Sequence, residues 1–160
     1  MRALKHLLTP HWLALRAFPS PVLEKIESAI KASERQHDGE LRFVVEAGLP
    51  FGFLKQSTRK RAEALFAQLG VWDTAHNSGV LVYVQLVDRR IEIVADRGIA
   101  AKVGQEQWSV ICSAMEVAFR KGHYLEGSLL AVESVTQVLA RHFPPRGRNP
   151  NELPDKPTVL

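Results

Sequence analysis

The run GVLVYVQLVDRRIEIVADRG, residues 79 to 98, decides how this chain is read. From Gly79 to Val87 it is almost unbroken aliphatic and β-branched sequence. A half-exposed strand would alternate, so this one is expected to be covered on both faces. Asp88-Arg89 is a polar break, and Arg90 to Ala95 reads as a second strand of the same apolar kind. Two apolar runs separated by a two-residue break predict a hairpin. Counting outward from that turn puts Val87 opposite Arg90, Val84 opposite Ile93, and Asp96 opposite Leu81, beside Gly79. Asp96 and the polar stretch before Gly79 then share one sheet edge, with Asp88-Arg89 at the other.

The flanking segments supply the remaining layers. Ser20-Pro21 is a helix start, and Val22, Ile26, Ala29 and Ile30 form one apolar stripe running to about Arg35. Glu40 to Glu46 is the first strand and Gly48 to Gln56 a loop. Ser57 or Thr58 caps a helix with Ala62, Leu65, Phe66 and Leu69 inward, and Gly70 stops it. Trp108, Ile111, Cys112, Met115 and Phe119 keep helical spacing from about Gln105 to Lys121-Gly122. A last helix spans about Tyr124 to His142, with Leu125, Leu129, Val132, Val135 and Leu139 inward. The order strand, helix, strand, antiparallel return and two helices implies the α/β class. The expected architecture is a three-layer α/β/α sandwich around a small mixed sheet with a central antiparallel hairpin. A right-handed crossover makes the first two strands parallel. Residues 1–19 form an N-terminal segment and 20–143 one α/β domain, while the proline-rich 144–160 reads as a disordered tail.

Composition narrows the function classes. The chain has 160 residues, enough for one core, and a net charge of +4. Lys55, Arg59, Lys60 and Arg61, with Arg146 and Arg148 in the tail, carry the basic excess. No aromatic residues interleave them as stacking on bases would require, so nucleic acid is not an expected partner. The single cysteine, Cys112, excludes an internal disulfide and a cysteine-based zinc site, and its helical position predicts a core thiol. No signal-peptide core and no transmembrane segment is present, which gives a cytoplasmic expectation. Leu4 to Leu15 is an amphipathic stretch able to dock the chain peripherally on a membrane. Phosphate-loop, nucleophile-elbow and His-Glu-x-x-His motifs are absent, and no organic cofactor is expected.

Two edges compete as the site. One holds Glu46, the 48–56 loop, the start of the Thr58 helix and Asp88-Arg89, at the carboxyl ends of the parallel strands where open sheets bind ligands. A helix N-terminus with Arg59 nearby suits an anion, and Asp88 is the alternative metal ligand of this edge or simply a turn residue. The opposite edge gathers Asp38 and Glu40, then Asp73, His76, Asn77 and Ser78, then Asp96 and Arg97. Ca²⁺ or Mg²⁺ needs oxygens arriving from several loops, and Glu40, Asp73, Asn77 and Asp96 are the candidate ligands. The competing reading makes Asp38, Asp73 and Asn77 ordinary caps and turn residues. With a metal in place, His76 and Asp96 are the catalytic candidates, His76 as proton donor to a leaving group.

Gly39-Glu40-Leu41-Arg42-Phe43-Val44-Val45, Asn77-Ser78-Gly79-Val80-Leu81-Val82, Asp88-Arg89 and the run from Ala118 to Gly127 (AFRKGHYLEG) together resemble the TPM-domain family. That family is named for a thylakoid-lumen protein, a photosystem II repair factor and a receptor modulator, and the resemblance covers about residues 20 to 143. It implies an α/β/α sandwich. Some members resemble metal-dependent acid phosphatases that bind divalent cations through acidic loops; others act as assembly or repair factors for membrane complexes. On matching positions, Glu40 falls in the family's Gly-Glu pair, Asn77 and Gly79 in its Asn-x-Gly start, and Asp88-Arg89 in its Asp-Asp-Arg turn. Val87 stands where the first aspartate of that turn usually lies, His76 where an acidic residue is common, and Asp96-Arg97-Gly98 where the return strand usually ends in glycines. Two functions follow as expectations. One is a protein-binding or assembly module for a membrane complex, with the Pro50-Phe51-Gly52-Phe53-Leu54 loop as its contact. The alternative is a divalent-metal-dependent phosphomonoesterase.

Overall fold

The computed structural model describes residues 1–147 and 150–160, so Arg148 of the basic tail lies outside the described residues. Helices α1 (Arg2–Leu8), α2 (Trp12–Ala17) and α3 (Ser20–Ser33) precede strand β1 (Glu40–Glu46). A short 3-10 turn at Phe51–Phe53 leads into α4 (Thr58–Gln68), then β2 (Gly79–Gln85) and β3 (Arg90–Ala95). Helices α5 (Arg97–Ala100), α6 (Gln105–Arg120) and α7 (Tyr124–His142) follow, and β4 (Thr158–Val159) ends the chain. The sheet order is β3-β2-β1-β4, with β1 parallel to β2 and β4 and β2 antiparallel to β3.

Every residue of β1 and β2 is buried, as an apolar run without alternation requires. Leu41, Phe43, Val45, Val80, Val82, Val84, Ile91 and Ile93 meet Ile26 and Ile30 of α3, Trp108 and Met115 of α6, and Val132, Val135 and Leu139 of α7. Val44, Leu81, Tyr83 and Val94 face the other way onto Ala62 and Leu65 of α4 and Leu153. These are the two outer layers of an α/β/α sandwich. Ser57 is the cap of α4, its Oγ accepting from Lys60 N at 3.2 Å. Ala14 and Phe18 insert into the larger core, so the N-terminal segment is bonded into the domain.

Two expectations are corrected. The hairpin turn has four residues, Leu86 to Arg89, and the register is Gln85 opposite Arg90, Val82 opposite Ile93 and Val80 opposite Ala95. The cause is competition from β1: Leu86 N and Val87 N donate to Glu46 O and Ala47 O at 3.1 and 3.3 Å, which takes both residues out of the ladder with β3. Gln85 Oε1 accepts from Asp88 N at 2.8 Å, and Arg89 closes the turn in the left-handed region at φ 52°. The register differs from the expected one by two residues, so every side chain keeps its face. Asp96 now pairs with Gly79, through Asp96 N to Gly79 O at 2.8 Å. Gly79 itself is required, because a Cβ there would stand 2.0 Å from Val71 O.

The tail is the second correction. Thr158 and Val159 pair in parallel with Val44 and Val45, and Leu153 and Asp155 are buried. Buried β1 would otherwise present an unpaired edge, and the tail supplies its partners. Arg42 Nη1 fixes the approach by donating to Pro154 O and Lys156 O at 2.8 and 2.7 Å, while Nη2 bonds Thr158 Oγ1.

Candidate functional site

At the edge where β1 and β2 begin, Glu40 pairs with Gly79, and Gly79 with Asp96, so the backbone carries the three segments to one rim. The side chains then diverge. Glu40 is buried and its Oε2 accepts from Glu152 N at 3.3 Å and Leu153 N at 3.2 Å, which makes it an anchor for the tail. Burial, with Glu152 and Asp155 nearby, pushes its carboxyl up to about 7. Asp73 and His76 are exposed in the approach to β2. Asn77 turns the chain at φ 52°, and its Oδ1 accepts from Arg97 Nε at 3.1 Å. Asp96 caps α5, Oδ1 accepting from Arg97 N at 2.7 Å. Asp38 receives Arg146 N at 3.2 Å on both oxygens.

Two oxygens at this rim are left over. Asp96 Oδ2 and Ser78 Oγ are buried without a hydrogen-bond partner among the described residues. One carboxylate oxygen and one hydroxyl fall short of the six to eight oxygens a calcium ion takes. Among the described residues, no three His, Cys, Asp or Glu side chains converge to hold a metal ion.

The tail also closes over a second acidic group that the sequence does not foretell. Glu34, Glu40 and Asp155 line a cavity of about 230 Å³ with Asn151, while Lys31 and Arg35 stand at its mouth. Asn151 Nδ2 donates to both oxygens of Asp155 at 3.1 and 3.0 Å. Glu34 Oε1 accepts from Leu41 N at 2.9 Å, and Glu34 is also hydrogen-bonded to Asp155. Burial, then the charges of Glu40 and Asp155, push the Glu34 carboxyl up to about 9, so it holds a proton at neutral pH.

At the opposite edge Asp88 is committed to α1. Arg2 Nη2 and Nε reach its carboxylate at 2.6 and 3.1 Å, and His6 Nε2 lies 3.1 Å from Oδ1. Arg2 Nη1 also donates to Leu54 O and Gln56 O at 3.0 and 3.1 Å, while His6 Nδ1 accepts from Leu49 N at 3.0 Å. Burial works to raise the Asp88 carboxyl, but Arg2 and His6 outweigh it and hold the group below the usual carboxylate range. Arg59 is likewise engaged, donating to Ile93 O at 2.6 Å and pairing with Glu63 at 3.2 Å. The basic run is therefore not an open patch. Arg61 within it is buried, bonded to Glu46 at 2.6 Å, and Tyr83 Oη donates to the same carboxylate at 2.5 Å. Phe53 lies under the Arg61 guanidinium at 4.8 Å, leaving Phe51 as the exposed aromatic of the 48–56 loop. Cys112 is half-buried, and burial pushes its thiol up to about 12, as an unreactive packing thiol requires.

The residues that sequence reasoning missed are Arg2 and His6. Their i, i+4 spacing puts both on one stripe of α1, which is the available signal, but nothing local points that stripe at Asp88. With the polar stripe turned inward, Leu4, Leu7 and Leu8 face outward, joined by Trp12 and Leu15 of α2. Among the described residues, no helix is long and apolar enough to cross a membrane.

The chain is similar to the BA42 protein of the psychrophilic bacterium Bizionia argentinensis, at 26% identity and a TM-score of 0.78, over 88% of this chain and 94% of that one. The N-terminal domain of a P. gingivalis protein shares the fold at 21% identity and a TM-score of 0.65, covering 87% of this chain and 95% of that domain. None of the curated proteins matches. The model of the TPM domain matches residues 18–138, and the chain belongs to the TPM-domain family.

Proposed function

We propose that this protein is a non-catalytic assembly module that seats on an anionic membrane surface through α1 and α2. One observation carries the reading: α1 is held to the domain by its polar stripe and turns its apolar stripe to solvent. Leu4, Leu7, Leu8, Trp12 and Leu15 are 59, 55, 72, 56 and 45% exposed. Scattered surface leucines need no explanation, but here four leucines and a tryptophan are exposed within one short segment. Lys5, His11 and Arg16 are exposed in the same segment. Apolar side chains and a tryptophan beside cations suit the boundary between headgroups and acyl chains. Each lysine or arginine there adds about 1 kcal/mol on anionic lipid. A protein groove would call for a longer continuous helix, whereas these side chains stand on two short helices broken at Thr9-Pro10.

Co-sedimentation with phosphatidylcholine vesicles containing phosphatidylglycerol tests this. The wild-type protein is expected in the pellet, less so with pure phosphatidylcholine. The Leu7→Asp/Leu8→Asp variant is expected in the supernatant with an unchanged melting temperature. Equal partition of the two proteins would refute the reading.

A second reading, a divalent-cation site serving a phosphomonoesterase, draws support from the orphaned Asp96 Oδ2 and Ser78 Oγ. Titrating Ca²⁺ and Mg²⁺ into the protein and into Asp96→Ala, followed by amide shifts near Asn77 and by aryl phosphate hydrolysis, separates it from the first. Shifts or turnover that vanish in Asp96→Ala would favour it; identical behaviour of both proteins would remove it.

A further inference from the structure

Where α6 ends, Gly122 takes φ 79° and turns the chain into α7, opposite the hairpin turn of β2 and β3. Between them lies a cavity of about 330 Å³, within the range of small-molecule sites. Four cations line it, Arg89, Arg90, Arg120 and Lys121, against one acid, Glu116. Glu116 meets Arg90 at 3.9 Å and Arg120 at 3.6 Å. Arg89 and Lys121 are exposed and have no anionic partner among the described residues. The wall behind the cations is apolar, with Ile91, Phe119 and Tyr124. Phe119 and Tyr124 pack in a tilted pair with ring centroids 5.1 Å apart, and Phe18 backs them at 5.8 and 5.5 Å, so the wall is braced by the core. Arg89 holds its place with φ 52°, a region where an arginine is uncommon.

We infer that this cavity binds a small organic anion, its acidic group held between Arg89 and Lys121 and its apolar body against Phe119 and Tyr124. Inorganic phosphate alone would leave the aromatic wall unused, and a neutral aromatic would leave the cations unmatched. The exposed leucines and Trp12 of α1 and α2 are not among its lining residues, although Asp88 beside Arg89 is bonded to Arg2 and His6 of α1.

Titration of ¹⁵N-labelled full-length protein with naphthalene-1-sulfonate tests it, with sodium sulfate and 1-naphthalenemethanol as the charge-only and body-only controls. Saturable shifts are expected at Phe119, Gly122 and Tyr124, with affinity at least tenfold above either control. Arg89→Asn/Lys121→Ala should lower that affinity about tenfold without changing the melting temperature, since both side chains are exposed and asparagine tolerates the left-handed turn. The Leu7→Asp/Leu8→Asp variant should bind as the wild type does. Equal binding of the neutral compound, unaltered affinity in the double variant, or shifts confined to α1 and α2 would each overturn the assignment.

Discussion

Replacing Glu34 with glutamine should stabilise this protein at pH 8 and leave it nearly unchanged at pH 5. Glu34 accepts from Leu41 N, is hydrogen-bonded to Asp155, and its carboxyl rises from 4.5 to about 9 through burial and the neighbouring Glu40 and Asp155. In the unfolded chain the group returns to its ordinary value. Between the two values the native state keeps a proton that the unfolded state has released, so stability falls as pH rises through that window. At about 1.4 kcal/mol per unit, the ceiling at pH 8 is about 5 kcal/mol. Water at the mouth of the cavity and relaxation of the tail reduce this, and we expect about 2 kcal/mol. A glutamine carbonyl can take the Leu41 amide, and its NH₂ can donate to Asp155 as the protonated acid does. For a chain of this size the gain corresponds to a rise in Tm of about 4–8 °C at pH 8. Thermal unfolding of both proteins at the two pH values measures it. A lower Tm for Glu34→Gln at pH 8, or the same shift at both pH values, would show that Glu34 is not a buried proton holder.

Arg61→Leu leaves Glu46 buried without its cation and should cost about 3–5 kcal/mol in urea unfolding; a loss below 1 kcal/mol would contradict a structural role for that pair. Tyr83→Phe removes one donor from Glu46 and should cost about 1 kcal/mol by the same assay. Gly79→Ala drives a Cβ into Val71 O and should destabilise by about 3 kcal/mol or more, so a normal Tm would rule out the close approach. Asp88→Asn weakens the hold on Arg2, which is itself 41% exposed along its side chain. Its global effect should stay within about 1 kcal/mol while trypsin cleavage after Lys5 accelerates; unchanged cleavage would detach α1 from Asp88.

The apolar run from Gly79 to Val84 made the sheet legible, because burial on both faces leaves a pattern that one residue after another confirms. The same pattern could not set where β2 ends. Leu86 and Val87 are as apolar as their neighbours, and their amides go to β1, which no local signal announces. The tail reads as disordered for a related reason. Proline and polar residues describe its solvent side, whereas its place is decided by Arg42, a charged residue inside a strand. Asp96 caps α5 and Asn77 turns the chain, roles their residue types favour, while Asp38 takes the Arg146 amide. The spacing that collects their backbones at one rim says nothing of where each carboxylate points. Arg2 and His6 show the limit most plainly, since their partner lies more than 80 positions away.

Fluorescence of Trp12 in vesicles with brominated acyl chains tests membrane seating most directly. Trp108 is buried, and Trp72, which is exposed, is replaced by phenylalanine to leave Trp12 as the reporter. Quenching that deepens with phosphatidylglycerol content and disappears in Leu7→Asp/Leu8→Asp is the expected result. Emission from Trp12 that stays unquenched on anionic vesicles would contradict it.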